Sequence, residues 1–474
     1  MRSACLILSL AACDLYWGQG ERQRHSDARL ADGRPLSTDV GATTPDCDSH
    51  GHDATGPDAA LDASSLYDAR RAVDATAPDS ATDAAVVQAS DLFSARFDFA
   101  SVPNPLLVLA ADFNSDGAPD VAIFDFTSST FSIRLNTTAA GSTTPSFSFM
   151  TNLPTANGAT SAAVADVNSD GRPDIVVAAG SANLGAVSVY INTTPTGATK
   201  PTFAPRLDLQ AIHGSGGPGS VQIADINHDG RPDLLAVVDS RILSVWLNVT
   251  APGAGSASFG SRFDLDLGSW CNWLGPASDM NGDDVPDVVV GNTCTNADSI
   301  LLNTTPVGAA TPSLGAAVPF MPGNYPLAIA IADFNGDWRP DIATSFFPTN
   351  NVLNGAVSVM LNATTLDATI PVFSPAADVA TFQSPAAFAV ADFDHDGRLD
   401  VAVADSNSYS ATAGVVILLN TTIPNGTSAS FQNAGTLVDP NDDSLTTADF
   451  NGDGKADLAV ANGGASSFSI FLGR

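Results

Sequence analysis

The sequence predicts an all-β fold, a seven-bladed β-propeller of four-stranded blades that follows a disordered N-terminal segment. The first observation is a repeat with a period of 54 to 59 residues, which indicates one small unit stacked many times. A nine-residue motif marks it: Asp, an apolar residue, Asn or Asp, any residue, Asp, usually Gly, any residue, usually Pro, and Asp. The seven copies begin at Asp112, Asp166, Asp225, Asp279, Asp333, Asp392 and Asp449.

The second observation is that a repeat contains four short strand-like runs and no helical period. In the second repeat these runs are residues 161–165, 175–178, 187–191 and 202–209, and the first two flank the acidic motif. Short runs rich in β-branched residues between Gly- and Pro-containing turns favour strands. Each repeat therefore predicts one four-stranded sheet.

The third observation is that the second run of a repeat is apolar on both faces, as in residues 234–238 and 288–290. A strand has this composition when other sheets cover both of its faces, as happens when propeller blades pack around an axis. Residues 91–474 accommodate seven repeats and leave no room for an eighth. A solenoid would instead need end caps, and none is visible in the sequence.

The two ends of this region predict how the ring closes. The last repeat reaches Arg474 directly after its third run. A spare run at residues 93–99 precedes the first motif and resembles the fourth runs of the other repeats. We therefore predict that residues 93–99 form the outer strand of the seventh blade.

The first 13 residues resemble a bacterial lipoprotein signal. Arg2 and a short apolar run precede small residues and Cys13, which would be lipidated. An ordinary secretory signal and a misassigned start are the alternatives. Residues 14–90 are rich in Asp, Ala, Ser and Thr without a hydrophobic period, so we expect a disordered tether. These features predict export, as a membrane-anchored lipoprotein of the periplasm or cell surface or in secreted form.

The chain is strongly acidic, with 51 acidic and 19 basic residues and a net charge of −32 at pH 7. This charge argues against nucleic acid and anionic membrane surfaces as partners. We expect membrane contact only through the lipid anchor and a monomeric protein. The expected partner is an extracellular protein or glycan.

The acidic motif carries the oxygen donors of a Ca²⁺ site. In the first copy these are the side chains of Asp112, Asn114, Asp116 and Asp120 and the backbone carbonyl of Ala118. An EF-hand would need a bidentate Glu at position 12, but that position is apolar here. The alternative is a metal-free Asp/Asn/Gly turn. Seven loops of unneutralised carboxylates would repel one another, so we predict Ca²⁺ in most of them, up to seven ions.

The other six copies supply the same five donors, with position 7 contributing its backbone carbonyl: Asp166, Asn168, Asp170, Arg172, Asp174; Asp225, Asn227, Asp229, Arg231, Asp233; Asp279, Asn281, Asp283, Val285, Asp287; Asp333, Asn335, Asp337, Arg339, Asp341; Asp392, Asp394, Asp396, Arg398, Asp400; Asp449, Asn451, Asp453, Lys455, Asp457. Asp284 and Trp338 replace the usual motif glycine, which puts the occupancy of the fourth and fifth loops in question.

With these motifs and this repeat length, the chain resembles the FG-GAP/VCBS repeat proteins that form an integrin-alpha-type seven-bladed propeller. The resemblance covers all seven units, residues 91–474. It implies the propeller fold, calcium in the loop that joins the first two strands of each blade, and an extracellular setting. It does not imply one function, because related propellers serve in adhesion, in carbohydrate or protein binding, and as appendages of enzymes.

Two further patterns concern cysteine and asparagine. Cys271 and Cys294 flank the fourth motif on strands expected to be neighbours, and an exported protein permits a disulfide between them; two free thiols are the alternative. Asn-x-Thr follows the third run of six repeats and matches the N-glycosylation pattern, although we favour a role in capping the turn. The six asparagines are Asn136, Asn192, Asn248, Asn303, Asn362 and Asn420.

Aromatic residues and one histidine cluster in the turns expected on the face opposite the acidic motifs. Exposed aromatic side chains on a rigid scaffold often bind sugars or proteins, and filling of the central channel is the alternative. These candidates for a ligand face are Trp270, Trp273, Tyr325, Phe346, Phe347, Tyr409 and His213.

The sequence shows no catalytic set of residues. Residues 91–474 lack Glu, two of their three His lie inside acidic motifs, and no Ser or Cys lies in a nucleophile motif. We therefore predict an exported calcium-binding module for cell-surface binding or adhesion and not an enzyme. The alternatives are a carbohydrate-binding protein, a polysaccharide hydrolase or lyase, and a purely structural surface protein.

Overall fold

Each repeat forms one blade of a seven-bladed propeller, which confirms the predicted fold class. The structure, a computed structural model, describes residues 87–474 except 149, 156–157, 181–184, 213–215, 271, 295–296, 321–325, 347–354, 383, 406–413 and 440–441. This part of the chain forms seven four-stranded sheets, with antiparallel pairing between neighbouring strands. The predicted signal, Cys13 and most of the predicted tether lie outside the described residues.

Strands that occupy the same place in successive blades have similar lengths. The first strands are β2 (Pro105–Ala111), β6 (Ala159–Ala165), β10 (Pro218–Ala224), β14 (Asn272–Leu274), β18 (Pro326–Ala332), β22 (Pro385–Ala391) and β26 (Asp442–Ala448). The second strands are β3 (Asp120–Asp125), β7 (Asp174–Ala179), β11 (Asp233–Val238), β15 (Val288–Asn292), β19 (Asp341–Phe346), β23 (Asp400–Asp405) and β27 (Asp457–Asn462).

The third strands are β4 (Thr130–Arg134), β8 (Ala186–Tyr190), β12 (Ile242–Trp246), β16 (Asp298–Leu301), β20 (Gly355–Met360), β24 (Gly414–Asn420) and β28 (Ser467–Phe471). The outer strands are β5 (Thr151–Pro154), β9 (Leu207–Gln210), β13 (Phe263–Asp266), β17 (Val318–Phe320), β21 (Ala377–Phe382) and β25 (Phe431–Val438), with β1 (Phe97–Ala100) as the seventh. One short helix, α1 (Ala89–Leu92), precedes β1.

The second strands form the buried centre of each blade. Every residue of β3, β7, β11 and β27 is buried, because the neighbouring blades cover both faces of these strands. In at least six of the seven pairs of neighbouring blades, the first strands contact each other around the axis. They are rich in alanine, as in β6 and β22, and small side chains allow sheets to converge there.

The N-terminal strand closes the ring, as the sequence predicts. β1 pairs with β28 through Phe97 opposite Ile470 and Phe99 opposite Phe468, and the rings of Phe99 and Phe468 stack 5.2 Å apart. Phe93 bridges Gly473, so the pairing extends across the predicted run 93–99. The seventh blade is therefore completed by residues from the other end of the domain.

The folded body begins slightly before the predicted boundary at residue 91. Helix α1 starts at Ala89, and both Ala89 and Leu92 are buried in the core beside Phe93. The sequence predicts no helix in this region, because a single helical turn is too short to give a helical period. In the described part of the chain, no helix has the length and apolar character needed to cross a membrane.

Candidate metal centres

The seven acidic motifs form loops between the first and second strands of their blades. We call them loops 1 to 7 in chain order and number their residues 1 to 9. Loop 1 begins at Asp112, directly after β2, and ends at Asp120, the first residue of β3. The loops of neighbouring blades therefore lie at the same end of the sheets, and we call this end of the propeller the loop face.

Two residues in each loop have a left-handed backbone. In loop 1 they are Ser115 at position 4, with φ of 54°, and Gly117 at position 6, with φ of 90°. The sequence predicts the left-handed backbone at position 6, where glycine is usual, but does not predict the left-handed backbone at position 4. Loops 4 and 5 carry Asp284 and Trp338 at position 6, with φ of 65° and 69°. Both of these loops have glycine at position 4, so every loop keeps at least one glycine at the two left-handed positions.

The carboxylates at positions 1 and 5 point into the loop and organise its backbone. In loop 1, Asp112 accepts hydrogen bonds from the backbone N–H groups of Asp116 and Gly117 at 3.1 and 2.8 Å. Asp116 accepts from the backbone N–H of Ala118 at 3.0 Å and from the Asn114 side-chain amide at 2.7 Å. The loop thus gathers oxygen atoms from positions 1, 3 and 5 on its inner side.

The aspartate at position 9 is buried and anchors the loop to its blade. Asp120 is fully buried, and its two oxygens accept hydrogen bonds from the backbone N–H groups of Phe113 at 2.9 Å and Asn136 at 2.7 Å. The same pair of bonds recurs in the other six loops. The anchors there are Asp174, Asp233, Asp287, Asp341, Asp400 and Asp457.

Burial opposes the ionisation of these anchors. It raises the pKa of Asp120 to about 8, and the carboxylates of Asp112 and Asp116 add to the rise while the two backbone hydrogen bonds oppose it. Burial likewise raises the pKa of Asp174 to about 7. A cation beside such carboxylates stabilises their charged form. The donor set of each loop consists of hard oxygen atoms and fits a divalent cation such as Ca²⁺.

Loop 6 brings together the largest set of carboxylates. Oxygen atoms of Asp392, Asp394 and Asp400 lie within 4.8 Å of one another, and no other cluster of three such acidic, His or Cys groups occurs among the described residues. The reason is that Asp394 occupies position 3, where the other six loops have Asn. Loop 6 therefore has four carboxylates at the donor positions, one more than each of the other six loops.

The asparagine at position 3 also holds neighbouring blades together. In loop 1, the Asn114 amide donates to the carbonyl of Ala198 in blade 2 at 3.1 Å, and the backbone N–H of Gly197 donates to the Asn114 carbonyl at 2.7 Å. Equivalent amide bonds link Asn168 to Ala254 and Asn335 to Gly426. An aspartate cannot donate this bond, which explains why six loops have Asn.

The Asn-x-Thr asparagines are buried links between blades and not glycosylation sites. Asn136 is 3% exposed, and its side-chain amide donates to the carbonyl of Pro119 in its own blade and of Phe450 in blade 7 at 3.0 and 2.8 Å. Its side-chain oxygen accepts from the backbone N–H of Thr138, which confirms the predicted role in capping the turn. The other five asparagines make the same contacts with the preceding blade.

Arginine at position 7 neutralises part of the charge in four loops. Arg172 and Arg231 form ion pairs with the position-5 carboxylates of Asp170 and Asp229 at 3.1 and 2.7 Å. Arg339 pairs with Asp337 at 3.1 Å, and Arg398 pairs with Asp396. The motif predicts only a backbone carbonyl donor from these arginines. Their two-residue spacing from an Asp is the sequence signal for the ion pair.

The predicted ligand face is only partly within the described residues. Trp270 is 53% exposed, and the Arg241 guanidinium lies 5.6 Å from the centroid of its ring. Trp273 lies in strand β14 and is 1% exposed, so its prediction as an exposed ligand contact is wrong. Phe346 ends strand β19 and is half-buried. His213, Tyr325, Phe347 and Tyr409 lie outside the described residues.

The predicted disulfide is described at one of its two cysteines. Cys294 is disulfide-bonded, whereas Cys271 lies outside the described residues. The pairing of Cys271 with Cys294 therefore stays a prediction.

Comparison with known proteins agrees with this architecture. The sequence profile of the FG-GAP-like repeat matches residues 112–177, 168–236, 279–344 and 392–460. These spans include all seven loops and more than half of the chain. The protein belongs to the FG-GAP-like repeat family. The search of curated proteins found no match for this FG-GAP-like repeat protein.

Solved structures similar to this FG-GAP-like repeat protein include two crystal structures of BBS1N in complex with ARL6DN. One, soaked with mercury, is 13% identical in sequence, has a TM-score of 0.48, and aligns over 81% of this chain and 96% of its own. The other, soaked with lead, is 13% identical, has a TM-score of 0.47, and aligns over 80% of this chain and 96% of its own.

Proposed function

We propose that this FG-GAP-like repeat protein is an exported, calcium-stabilised propeller that acts as a binding or adhesion module. The observation that carries the calcium part is the convergence of carboxylate oxygens from Asp392, Asp394 and Asp400 in loop 6. The family and the fold support the binding part, because a rigid propeller presents many turns on two faces. The sequence of each of these turns can change while the scaffold stays folded.

The loop residues would hold the cation through oxygen atoms alone. Side chains at positions 1, 3, 5 and 9 and the carbonyl at position 7 are the donors, which suits a hard cation. A bound Ca²⁺ supplies positive charge that offsets the repulsion among these carboxylates. The N–H groups of positions 5 and 6 and the buried anchor at position 9 hold the donors in place before the ion arrives, which lowers the entropy cost of binding.

Calorimetric titration of the chelator-treated protein with CaCl₂ tests the calcium proposal. We expect several ions per chain and a loss of about one ion in the variant Asp392→Asn/Asp394→Asn/Asp396→Asn. The matched control Asp98→Asn changes an exposed carboxylate outside the loops and should keep the full number. An unchanged titration in the triple variant would remove loop 6 from the proposal.

Export and lipidation rest on the sequence and need a separate test. Expression of the full chain in a bacterium with radiolabelled palmitate should label the wild type and not Cys13→Ser. Cell fractionation should find the wild type with membranes and the variant in soluble fractions. Labelling of neither protein, with both in the cytoplasm, would contradict export.

A carbohydrate ligand is the alternative that the exposed Trp270 favours. An exposed indole ring can stack on a sugar face, and Arg241 beside it can donate hydrogen bonds to hydroxyl groups. A glycan array probed with the wild type and Trp270→Ala decides this alternative. Binding to one glycan class that disappears in the variant supports it, whereas no binding by the wild type removes it.

A further inference from the structure

The repeats provide an internal comparison that singles out blade 5. At three corresponding positions on the loop face, blade 5 alone has a large apolar side chain, and at a fourth it has a larger apolar side chain than any other blade. Loop position 6 is Trp338 where five loops have Gly and one has Asp. In the turn after the third strand, Ile370 and Val372 occupy positions that are Ser, Thr or Lys in the other five such turns, and Leu366 is the largest residue at its position. We call these four residues the blade-5 patch.

All four side chains of the blade-5 patch are exposed to solvent. The exposed fractions are 66% for Trp338, 73% for Leu366, 61% for Ile370 and 53% for Val372. Their positions on the loop face are connected. Arg339, next to Trp338, donates to the carbonyl of Thr364 at 3.2 Å, which ties loop 5 to the turn that carries the other three residues.

The backbone of this turn does not require the apolar residues. The N–H of Val372 donates to the Thr364 hydroxyl at 2.8 Å, and the corresponding Ser146 of blade 1 makes the same bond to Thr138 at 2.9 Å. The Ser146 hydroxyl also pairs with that of Thr137 at 2.8 Å, a contact that Val372 cannot make. Blade 5 therefore keeps the fold of the turn and replaces only the surface that the turn presents.

Trp338 strains the backbone of loop 5. A bulky residue with φ of 69° is disfavoured by roughly 1–2 kcal/mol, and five of the other loops avoid this with glycine. Because Trp338 is 66% exposed, burial of the indole offsets only part of this cost. Strain at an exposed aromatic residue indicates selection for contact with something outside the chain.

Two extra carboxylates border the patch. Asp284 replaces the glycine of loop 4, and Asp367 replaces the glycine found at its position in blades 1 to 4. Both are exposed and both have a left-handed backbone, with φ of 65° and 54°. Leu366 lies directly over loop 4, because a Cβ on Gly282 would lie 3.0 Å from its Cδ1. The apolar surface is thus flanked by negative charge.

We propose that the blade-5 patch is the docking surface for a partner protein that presents apolar side chains flanked by Lys or Arg. Aliphatic residues such as Ile370 and Val372 offer no face on which a sugar ring stacks, whereas they pack against apolar side chains. The charges of Asp284 and Asp367 complement a basic rim and oppose an anionic membrane. They also oppose a second copy of this chain, whose net charge is −32. This inference rests on the proposed binding function and gives it a site and a partner chemistry.

A random peptide library displayed on phage, panned against the full-length protein in calcium buffer, tests the docking surface. We expect enriched peptides that combine aromatic or aliphatic residues with Lys or Arg. Synthetic versions should bind at least tenfold more weakly to Leu366→Thr/Ile370→Thr/Val372→Ser, which restores residue types found in the other turns and leaves loop 5 unchanged. Val249→Thr, which removes an exposed valine from the blade 3 turn, should bind like the wild type.

The charge part has its own variant. Asp284→Asn/Asp367→Asn should weaken peptide binding several-fold at low ionic strength, and this difference should vanish near 1 M salt, where the Debye length is about 3 Å. Urea unfolding of every variant verifies that it is folded.

Three results would overturn the docking proposal. Enriched peptides that bind the triple variant as tightly as the wild type would show binding elsewhere and leave the proposed binding function intact. Flotation with phosphatidylglycerol vesicles, or dimerisation in sedimentation experiments, that disappears in the triple variant would assign the patch to a membrane or to a second copy. A failure to enrich any peptide would refute the docking proposal. If the wild type also bound nothing on the glycan array, the proposed binding function would be refuted as well.

Discussion

The side-chain amide of Asn192 in blade 2 donates a hydrogen bond to the backbone carbonyl of Phe113 in blade 1 over 2.9 Å. The same amide donates to the carbonyl of Pro173 at 3.0 Å, and its oxygen accepts from the N–H of Thr194 at 2.9 Å. One buried side chain therefore satisfies three backbone groups, one of which belongs to the neighbouring blade. This contact recurs around the propeller and joins six of the seven acidic loops, all except loop 6, to the next blade.

Replacement of Asn192 by Ala should destabilise the protein strongly. The change leaves the three backbone groups without their partner in a site that excludes water, so we expect a loss of about 2–4 kcal/mol in the free energy of unfolding. Urea denaturation measures it. Thr193→Ala is the matched control, because the Thr193 hydroxyl bonds only to Thr202 at the surface, and it should change stability by less than about 0.5 kcal/mol. Equal effects of the two changes would contradict the role of Asn192.

Removal of calcium should lower the melting temperature. Each loop gathers several carboxylates, and an ion bound only by the folded state stabilises it by mass action. With several sites acting together, we expect a drop of more than about 10 °C in chelator. Addition of Ca²⁺ should restore the transition, and Mg²⁺ at the same concentration should restore less, because it demands a tighter octahedral site. A melting curve that ignores the chelator would refute the proposal.

The left-handed backbone at Trp338 should weaken calcium binding in loop 5. Trp338→Gly relieves about 1 kcal/mol of strain and should tighten binding at this loop and raise stability. Gly171→Trp imposes the same strain on loop 2 and should have the reverse effects, since a Cβ there would meet no atom within 4 Å and the cost is conformational. Trp338→Ala removes the ring but keeps the strain, so it should resemble the wild type. Calcium titration showing all four proteins alike would refute the strain argument.

Asp298 should make stability fall as the pH rises. It is fully buried in blade 4, and burial raises its pKa from 3.8 to about 8 while a hydrogen bond from the Asn292 N–H acts in the opposite direction. The folded state therefore holds a proton that the unfolded state has lost between these two values. The stability that this proton contributes is complete below pH 4 and is lost progressively as the pH rises to about 8.

Asp298→Asn should remove this dependence. Between pH 5 and 7 the variant should gain about 1.4 kcal/mol per pH unit relative to the wild type, the slope for one proton. Urea unfolding at several pH values measures the difference in unfolding free energy between the variant and the wild type. In this difference the titration of all other groups cancels. Asp367→Asn at the surface should run parallel to the wild type. A wild-type curve parallel to that of Asp298→Asn would show that Asp298 is ionised in the folded protein.

Deletion of residues 91–100 should destabilise the whole propeller. It removes β1 and leaves β28 with an unpaired edge and exposed phenylalanine rings, which favours aggregation. Deletion of residues 14–85 ends before the described body and should leave the melting temperature unchanged. Light scattering and thermal melting of both truncations decide between them, and equal stability would contradict ring closure.

Local chemistry made most of the architecture predictable. The seven motifs define their own period, and the position of Asp112 to Asp120 between two strand-like runs is sufficient to place a loop at the start of each blade. Closure by residues 93–99 was also predictable, because one strand was missing at one end and one was spare at the other. These inferences need only neighbours in sequence or a count of repeats.

Contacts between blades were not predictable from one repeat. The choice of Asn114 over Asp depends on the carbonyl of Ala198, 84 residues away. The burial of Trp273 depends on Gly291, its partner on the adjacent strand β15, where a Cβ would lie 2.2 Å from the indole ring. The local sequence around an exposed tryptophan does not differ from that around a tryptophan that packs on a distant glycine. The blade-5 patch also needed the structure, because only the structure shows that its four side chains are exposed.

The pairing of β1 with β28 has a consequence for how the chain acquires its structure. The hydroxyl of Ser469 donates to Asp98 across a sequence separation of 371 residues. During synthesis, strand β1 has no partner until β28 has been made. Closing so long a loop is slow, and until then the ring has two open edges. The closed ring is thus reached only after β28 has been synthesised, and β1 remains unpaired while the residues between the two strands are made.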